Sequence, residues 1–115
     1  MPLSKATFRE VGVVTIVDLS GLLRLGESSA VLRTAIHELM DKQCKKIVLN
    51  FRDVTEIDSA GIGELVAAYS TVKSKNGRLK LLNPPQKVCD MLKLTQLLKV
   101  LEVYADEESA VRSFN

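Results

Sequence analysis

Tryptophan is missing from this chain, and aromatic residues together make up 4% of its 115 positions. That scarcity argues against the stacking platforms that hold single-stranded nucleic acid and against aromatic-lined carbohydrate sites. Histidine occurs once, at His37, and cysteine twice, at Cys44 and Cys89, with no C-x-x-C spacing and no Cys/His cluster. These are too few soft ligands for a zinc site, so no metal or cofactor is expected, and the cysteines read as reduced, partly buried thiols. Neither sign of charge is in excess: 16 basic residues face 14 acidic ones, a formal net charge of +2. So even a balance implies neither a DNA partner nor a membrane surface. No apolar run reaches membrane-spanning length, and Met1-Pro2-Leu3-Ser4-Lys5 has no apolar signal core after it. The expectation is a mature, soluble, cytoplasmic protein with no direct nucleic-acid and no membrane partner.

What is present is an ordinary globular composition, 46% hydrophobic and 26% charged. One domain, residues 1–115, is the expectation at this length. Ala6 to Glu10 and the β-branched run Val11 to Leu19 read as two strands joined near Gly12. A break is expected at Ser20-Gly21, then an apolar connection, Leu22-Leu23-Arg24-Leu25-Gly26, without period. A helix follows, with Ser28 or Ser29 as its cap and Val31, Leu32, Ala35, Ile36, Leu39 and Met40 on its inward face. Ile47 to Phe51 is a strand, and a second helix carries an inward stripe of Ile62, Leu65, Val66, Tyr69 and Val72. Asn76-Gly77 stops that helix, with Gly77 expected in the left-handed conformation. Arg78 to Leu82 is a further strand, and Pro84-Pro85 opens a helix with Val88, Met91, Leu92 and Leu94 inward. A turn at Thr95 to Leu98, a brief strand at Leu101 to Tyr104 and a last helix behind Asp106 complete the chain. The order β-β-α-β-α-β-α-β-α predicts an α/β fold with a mixed sheet. Its first two strands pair antiparallel, and the later ones are mostly parallel, joined by right-handed crossovers.

The chemistry concentrates at Asp58-Ser59-Ala60-Gly61-Ile62-Gly63, a loop-to-helix junction behind the Ile47 to Phe51 strand. A nucleophilic serine needs a base and oxyanion donors. The G-x-S-x-G elbow is absent, because Ile57 stands where its first glycine belongs, and nothing brings His37 near. A phosphate loop is equally unsupported: Gly61-Ile62-Gly63 matches neither G-x-x-x-x-G-K-[ST] nor G-x-G-x-x-G. Two tight-packing glycines are the plainer reading. The remaining role for Ser59 is as acceptor of a phosphoryl group, adding about −1.5 to −2 charges at a helix start whose dipole tolerates them. Such a phosphate would change what docks there without melting the helix. At about 100° per residue, Gly63, Ala67, Ser70 and Ser74 line up beside the buried stripe, with Ala60, Glu64 and Thr71 completing the outer side. A smooth face beside Ser59 suits another protein, and packing against a neighbouring helix explains its inner members equally well.

In this order and at this length, the D-S-x-G junction, the two-strand start and the Ser20-Gly21 break resemble STAS domains. More closely, they resemble stand-alone bacterial anti-sigma factor antagonists. The resemblance implies four helices packed mainly on one face of the sheet, and a non-enzymatic partner switch. The unphosphorylated form binds an anti-sigma factor that is also an ATP-dependent serine kinase and so frees the sigma factor. Phosphorylation of Ser59 abolishes that binding, and a serine phosphatase restores it. Asp58 is then the orienting residue, and Ile57, Asp58, Ser59, Ala60, Gly61, Ile62, Gly63, Ala67 and Arg24 form the partner-binding set. Two positions depart from the pattern: Gly21-Leu22-Leu23-Arg24 lacks the usual acidic residue, and Asn50 replaces a common aspartate. A non-phosphorylated STAS scaffold and a small-ligand sensor remain open as alternatives.

Overall fold

The computed structural model describes residues 5–23 and 27–115, leaving aside the side chains of residues 27–29. Strands β1 (Lys5–Val11) and β2 (Val14–Leu23) form an antiparallel hairpin around Gly12, whose φ of +63° suits the tight two-residue turn. Helix α1 (Glu27–Asp41) leads to β3 (Lys46–Ile57), α2 (Ser59–Ser74) and β4 (Arg78–Leu82). Helix α3 (Gln86–Leu94), one 3-10 turn (Leu97–Lys99), β5 (Val103–Tyr104) and α4 (Glu107–Arg112) follow. The strands lie in the order β1-β2-β3-β4-β5, parallel from β2 onward, as the element order predicts.

Two apolar layers hold this sheet between helices. On one face Val17, Leu19, Leu49, Phe51 and Leu81 meet Leu32, Ile36 and Leu39 of α1, Leu65 and Val72 of α2, and Val88 and Leu92 of α3. On the other, Val14, Ile16, Val48 and Leu82 pack against Ala110 and Phe114 at α4. Three helices on one face and one on the other match the expected asymmetry. Each fully buried Leu, Ile or Phe contributes about 1.5–3 kcal/mol relative to exposure.

Several local expectations are revised. The break at Ser20-Gly21 is a continuation of β2 beside two bulges in β3: Asp18 pairs with Asn50 but Ser20 with Asp53, and Gly21 with Val54 but Leu22 with Glu56, so β3 carries one extra residue at each shift. Gly21 has φ +94° there, a conformation glycine adopts without steric cost. Taking up these two residues, β3 runs on to Ile57 beside a β2 that continues to Leu23, so no loop precedes the second helix. Helix α1 begins at Glu27, placing Ser28 and Ser29 inside its first turn rather than ahead of it. Asn76, not Gly77, takes the left-handed position (φ +65°). Gly77 donates to Val72 O at 2.8 Å and Asn76 to Lys73 O at 3.0 Å, the two bonds of a Schellman motif. A Cβ on Gly77 would meet Lys45 O at 2.8 Å, which explains the glycine by closeness instead. Pro85 occupies the cap of α3 and not its first turn. Val66 (40% exposed) and Leu94 (80%) lie outside the core, and Ala68 takes the inward place expected of Val66.

Candidate functional site

Asp58 is the one residue between β3 and α2, and three contacts fix it. Its backbone N–H donates to Leu23 O of β2 at 3.3 Å, and its carbonyl accepts from Ile62 N–H at 2.9 Å. Its Oδ1 accepts from Gly61 N–H at 2.9 Å, so the carboxylate caps the helix. Gly61 lies so close to the end of β2 that a Cβ would sit 2.1 Å from Leu23 O and 2.8 Å from Ile57 Cγ1. Ile57 and Ile62 are buried and anchor the turn from below. The junction is therefore a rigid corner of the sheet, not a loop.

Ser59 is the first helical residue and is exposed, while Ala60 behind it is half-buried. Along α2, Gly63, Val66, Ala67, Ser70 and Ser74 are also exposed and continue the face that starts at Ser59. Among the described residues nothing lies within 4 Å of where a Gly63 Cβ would stand. Glu64 and Thr71 turn the other way, toward α1. Glu64, with its side chain 16% exposed, accepts from Arg33 Nη2 at 2.5 Å, and the hydrogen bond holds the Arg33 guanidinium above its ordinary pKa. Ala67 and Thr71 share that small α1–α2 groove, about 130 Å³, with His37. His37 is exposed and makes no hydrogen bond to Ser59 among the described residues. Ile57, Asp58, Ser59, Ala60, Gly61, Ile62, Gly63 and Ala67 thus lie along one corner and one helix. Arg24 falls outside the described residues.

Residues 5–110 match the STAS domain family. The chain belongs to that family. The anti-sigma F factor antagonist of Paenibacillus polymyxa is 31% identical over 100 residues, covering 85% of this chain and 84% of that protein. The anti-sigma-B factor antagonist of Bacillus subtilis is 29% identical over 85 residues, covering 74% and 77%. Among solved structures, a Thermotoga maritima protein provisionally described as an anti-sigma factor antagonist superposes with a TM-score of 0.86. It is 26% identical and covers 94% of this chain and 92% of its own. No helix among the described residues is long and apolar enough to cross a membrane.

Within this STAS domain, sequence reasoning missed two polar constructions on the α4 face. Asn50 Nδ2 donates to Asp18 Oδ1 at 2.8 Å, and Arg9 Nη2 donates to the same oxygen at 3.0 Å and to Glu107 Oε1 at 2.9 Å. Arg9, more than Asn50, holds the Asp18 carboxyl below its ordinary pKa against the opposing effect of burial. An amide suits position 50 because a carboxylate there would face Asp18 directly. The second construction is Lys80, 2% exposed, whose Nζ donates to Ser113 Oγ at 2.9 Å and Ser113 O at 3.1 Å. The same ammonium lies 4.5 Å from the Phe114 ring centroid and 3.4 Å from Glu102 Oε1. The alternation around Leu79 and Leu81 marked position 80 as facing away from the main core; only α4, folding back over it, makes that face buried.

Proposed function

We propose that this STAS domain is an anti-sigma factor antagonist working by partner switching, with Ser59 as the phosphorylated residue. The observation that carries the reading is an exposed residue, Ser59, at the first position of α2, behind the Asp58 cap and at the head of a small-residue face. The names of the Paenibacillus and Bacillus relatives support the antagonist role. In its unphosphorylated form the chain docks this face on an anti-sigma factor that is also an ATP-dependent serine kinase, and so releases the sigma factor. Ser59 is a substrate and the chain is not an enzyme; a serine phosphatase resets it, all in the cytoplasm. Ile57 and Ile62 fix the corner, Asp58 orients it, and Ala60, Gly61, Gly63 and Ala67 let the partner approach closely. Arg24 belongs to the same docking set.

A phosphate on Ser59 meets the positive end of α2, where the first-turn N–H groups have no intrahelical acceptor. The helix therefore tolerates the charge, while the partner's close approach does not. The α1–α2 groove beside this face, about 130 Å³, is smaller than the roughly 300–1,000 Å³ of ordinary ligand sites, which favours protein docking over a small-ligand pocket at this corner. The test is calorimetry of the kinase partner against wild type and Ser59→Asp, with circular dichroism as the control. The expected result is affinity lowered at least about tenfold, or roughly 1.4 kcal/mol, with the fold intact. Equal affinity would overturn the reading.

A further inference from the structure

We propose that the end of the sheet opposite Ser59 binds a phosphate group between Lys46 and Arg78. These two residues open their strands and are partners in the β3–β4 register. Alternation puts both on the α4 side of the sheet, where Val48 and Leu82 belong to the apolar layer. The Arg78 guanidinium lies over the Phe114 ring, 5.3 Å from its centroid, and the Lys80 ammonium follows on the same side, 4.5 Å from that ring. Three cations thus stand together on one face of two neighbouring strands. Like charges directly opposed across a strand pair repel, so this arrangement calls for an anion.

The protein does not supply one. Among the described residues neither Lys46 nor Arg78 forms an ion pair, and the carboxylates of this end are engaged elsewhere. Glu102 accepts from Tyr104 Oη at 2.5 Å and lies 3.4 Å from Lys80 Nζ; Glu38 holds Lys42 at 3.3 Å and Glu108 holds Arg112 at 3.0 Å. That leaves Asp41 of α1 and Glu10 of β1 against Lys45, Lys46, Lys75 and Arg78. Lys45 belongs to the cluster through its carbonyl, which accepts the Arg78 N–H at 2.7 Å. Lys75 has a reason of its own, at the negative end of α2; Lys46 and Arg78, on strands, have none. The net charge of +2 for the whole chain conceals this basic pole.

The pattern selects a phosphate over a carboxylate. Opposed cations need more than one negative charge, and phosphate offers up to two. A guanidinium takes two phosphate oxygens in its fork while a lysine adds a point charge. Adjacent strands lie about 4.8 Å apart, a gap that one tetrahedral anion bridges. Free phosphoanions and the headgroups of anionic lipids share this chemistry. Strand β3 runs twelve residues from Lys46 to Ile57, roughly 30–35 Å at about 3.3 Å each, so an occupied site leaves the Ser59 corner free.

Calorimetric titration of the full chain with inorganic pyrophosphate, at ionic strength fixed by sodium chloride, is the test. Co-sedimentation with phosphatidylglycerol vesicles, against phosphatidylcholine, is its second arm. Binding should weaken at least about tenfold in Lys46→Met and in Arg78→Gln and stay unchanged in Lys87→Gln and Ser59→Ala. Pyrophosphate binding with that dependence supports a free phosphoanion, and vesicle binding with the same dependence supports a headgroup. Lys46→Met keeps the apolar stem and removes one opposed charge, so without phosphate its thermal midpoint should rise above wild type. Pyrophosphate should then raise the wild-type midpoint and not that of the variant. Should Arg78→Gln fail to fold, Lys46→Met still decides. Binding to neither probe, binding that both substitutions leave unchanged, or a midpoint lowered in phosphate-free Lys46→Met would each overturn the proposal.

Discussion

Replacing Gly61 by alanine would ordinarily stabilise a helix by about 1 kcal/mol, and here it should do the opposite. The backbone of Gly61 does not have the positive φ that favours glycine, so alanine meets no conformational penalty of its own. The obstacle is the carbonyl of Leu23, 2.1 Å from the new Cβ, with Ile57 Cγ1 at 2.8 Å. Carbon and oxygen in contact need more than 3 Å, roughly, so the gap must open by about 1 Å, and both sides are backbone or tightly packed. Overpacking of this kind costs about 1–3 kcal/mol. Pushing the first turn away also stretches the Asp58 N–H bond to Leu23 O, already 3.3 Å long, whose loss is worth about 1 kcal/mol. Set against the helix gain, the net is about 1–3 kcal/mol of destabilisation, a fall in midpoint of roughly 4–12 °C for a domain of this size. Gly63→Ala is the matched control, since its Cβ meets nothing within 4 Å among the described residues; it should gain up to about 1 kcal/mol. Urea and thermal denaturation of the two variants side by side decide the point. If Gly61→Ala proves as stable as Gly63→Ala, the close seam between β2 and α2 is wrong.

Other expectations follow from the polar groups. Asn50→Asp sets a carboxylate against Asp18 in place of a 2.8 Å donor and should cost about 1–3 kcal/mol at pH 7. That deficit should shrink in acid as one of the two carboxyls takes up a proton, which chemical denaturation at several pH values would show. In the wild type the folded pKa of Asp18 is lowered, so its stabilisation is present above the ordinary aspartate range and is lost as pH falls through the folded value. Lys80→Ala removes a buried stem and its hold on the end of α4 and should cost about 2–4 kcal/mol, with Lys80→Met recovering more than half in urea unfolding. Asp58→Ala deletes the α2 cap and should cost about 1 kcal/mol, restored largely by Asp58→Asn.

The fold was legible where period and burial coincide. The Leu32, Ile36 and Leu39 spacing of α1, and the β-branched Val14 to Val17 run, announced a helix face and a covered strand without ambiguity. The same logic cut β3 short. Past Phe51, its buried residues are Val54 and Ile57, with exposed pairs Arg52-Asp53 and Thr55-Glu56 between them, a spacing of three that reads as a loop. It is a strand because β3 itself carries two extra residues against β2, and a bulge is a property of the pair that one strand's pattern does not display. Hydrophobicity alone places Leu94 and Val66 inward, yet among the described residues the end of α3 and the outer face of α2 leave both exposed. At the junction, residue types showed the serine and the glycines; the reason for Gly61 lies in Leu23, 38 positions away in sequence, and only the assembled sheet supplies it.

The central claim is that Ser59 accepts a phosphoryl group from the partner it binds. The most direct measurement is mass spectrometry of the intact and digested chain after incubation with the kinase-type anti-sigma factor and ATP. One phosphate, on Ser59, absent from Ser59→Ala, is the predicted result. Phosphate on another residue, or the same labelling in Ser59→Ala, would contradict the account.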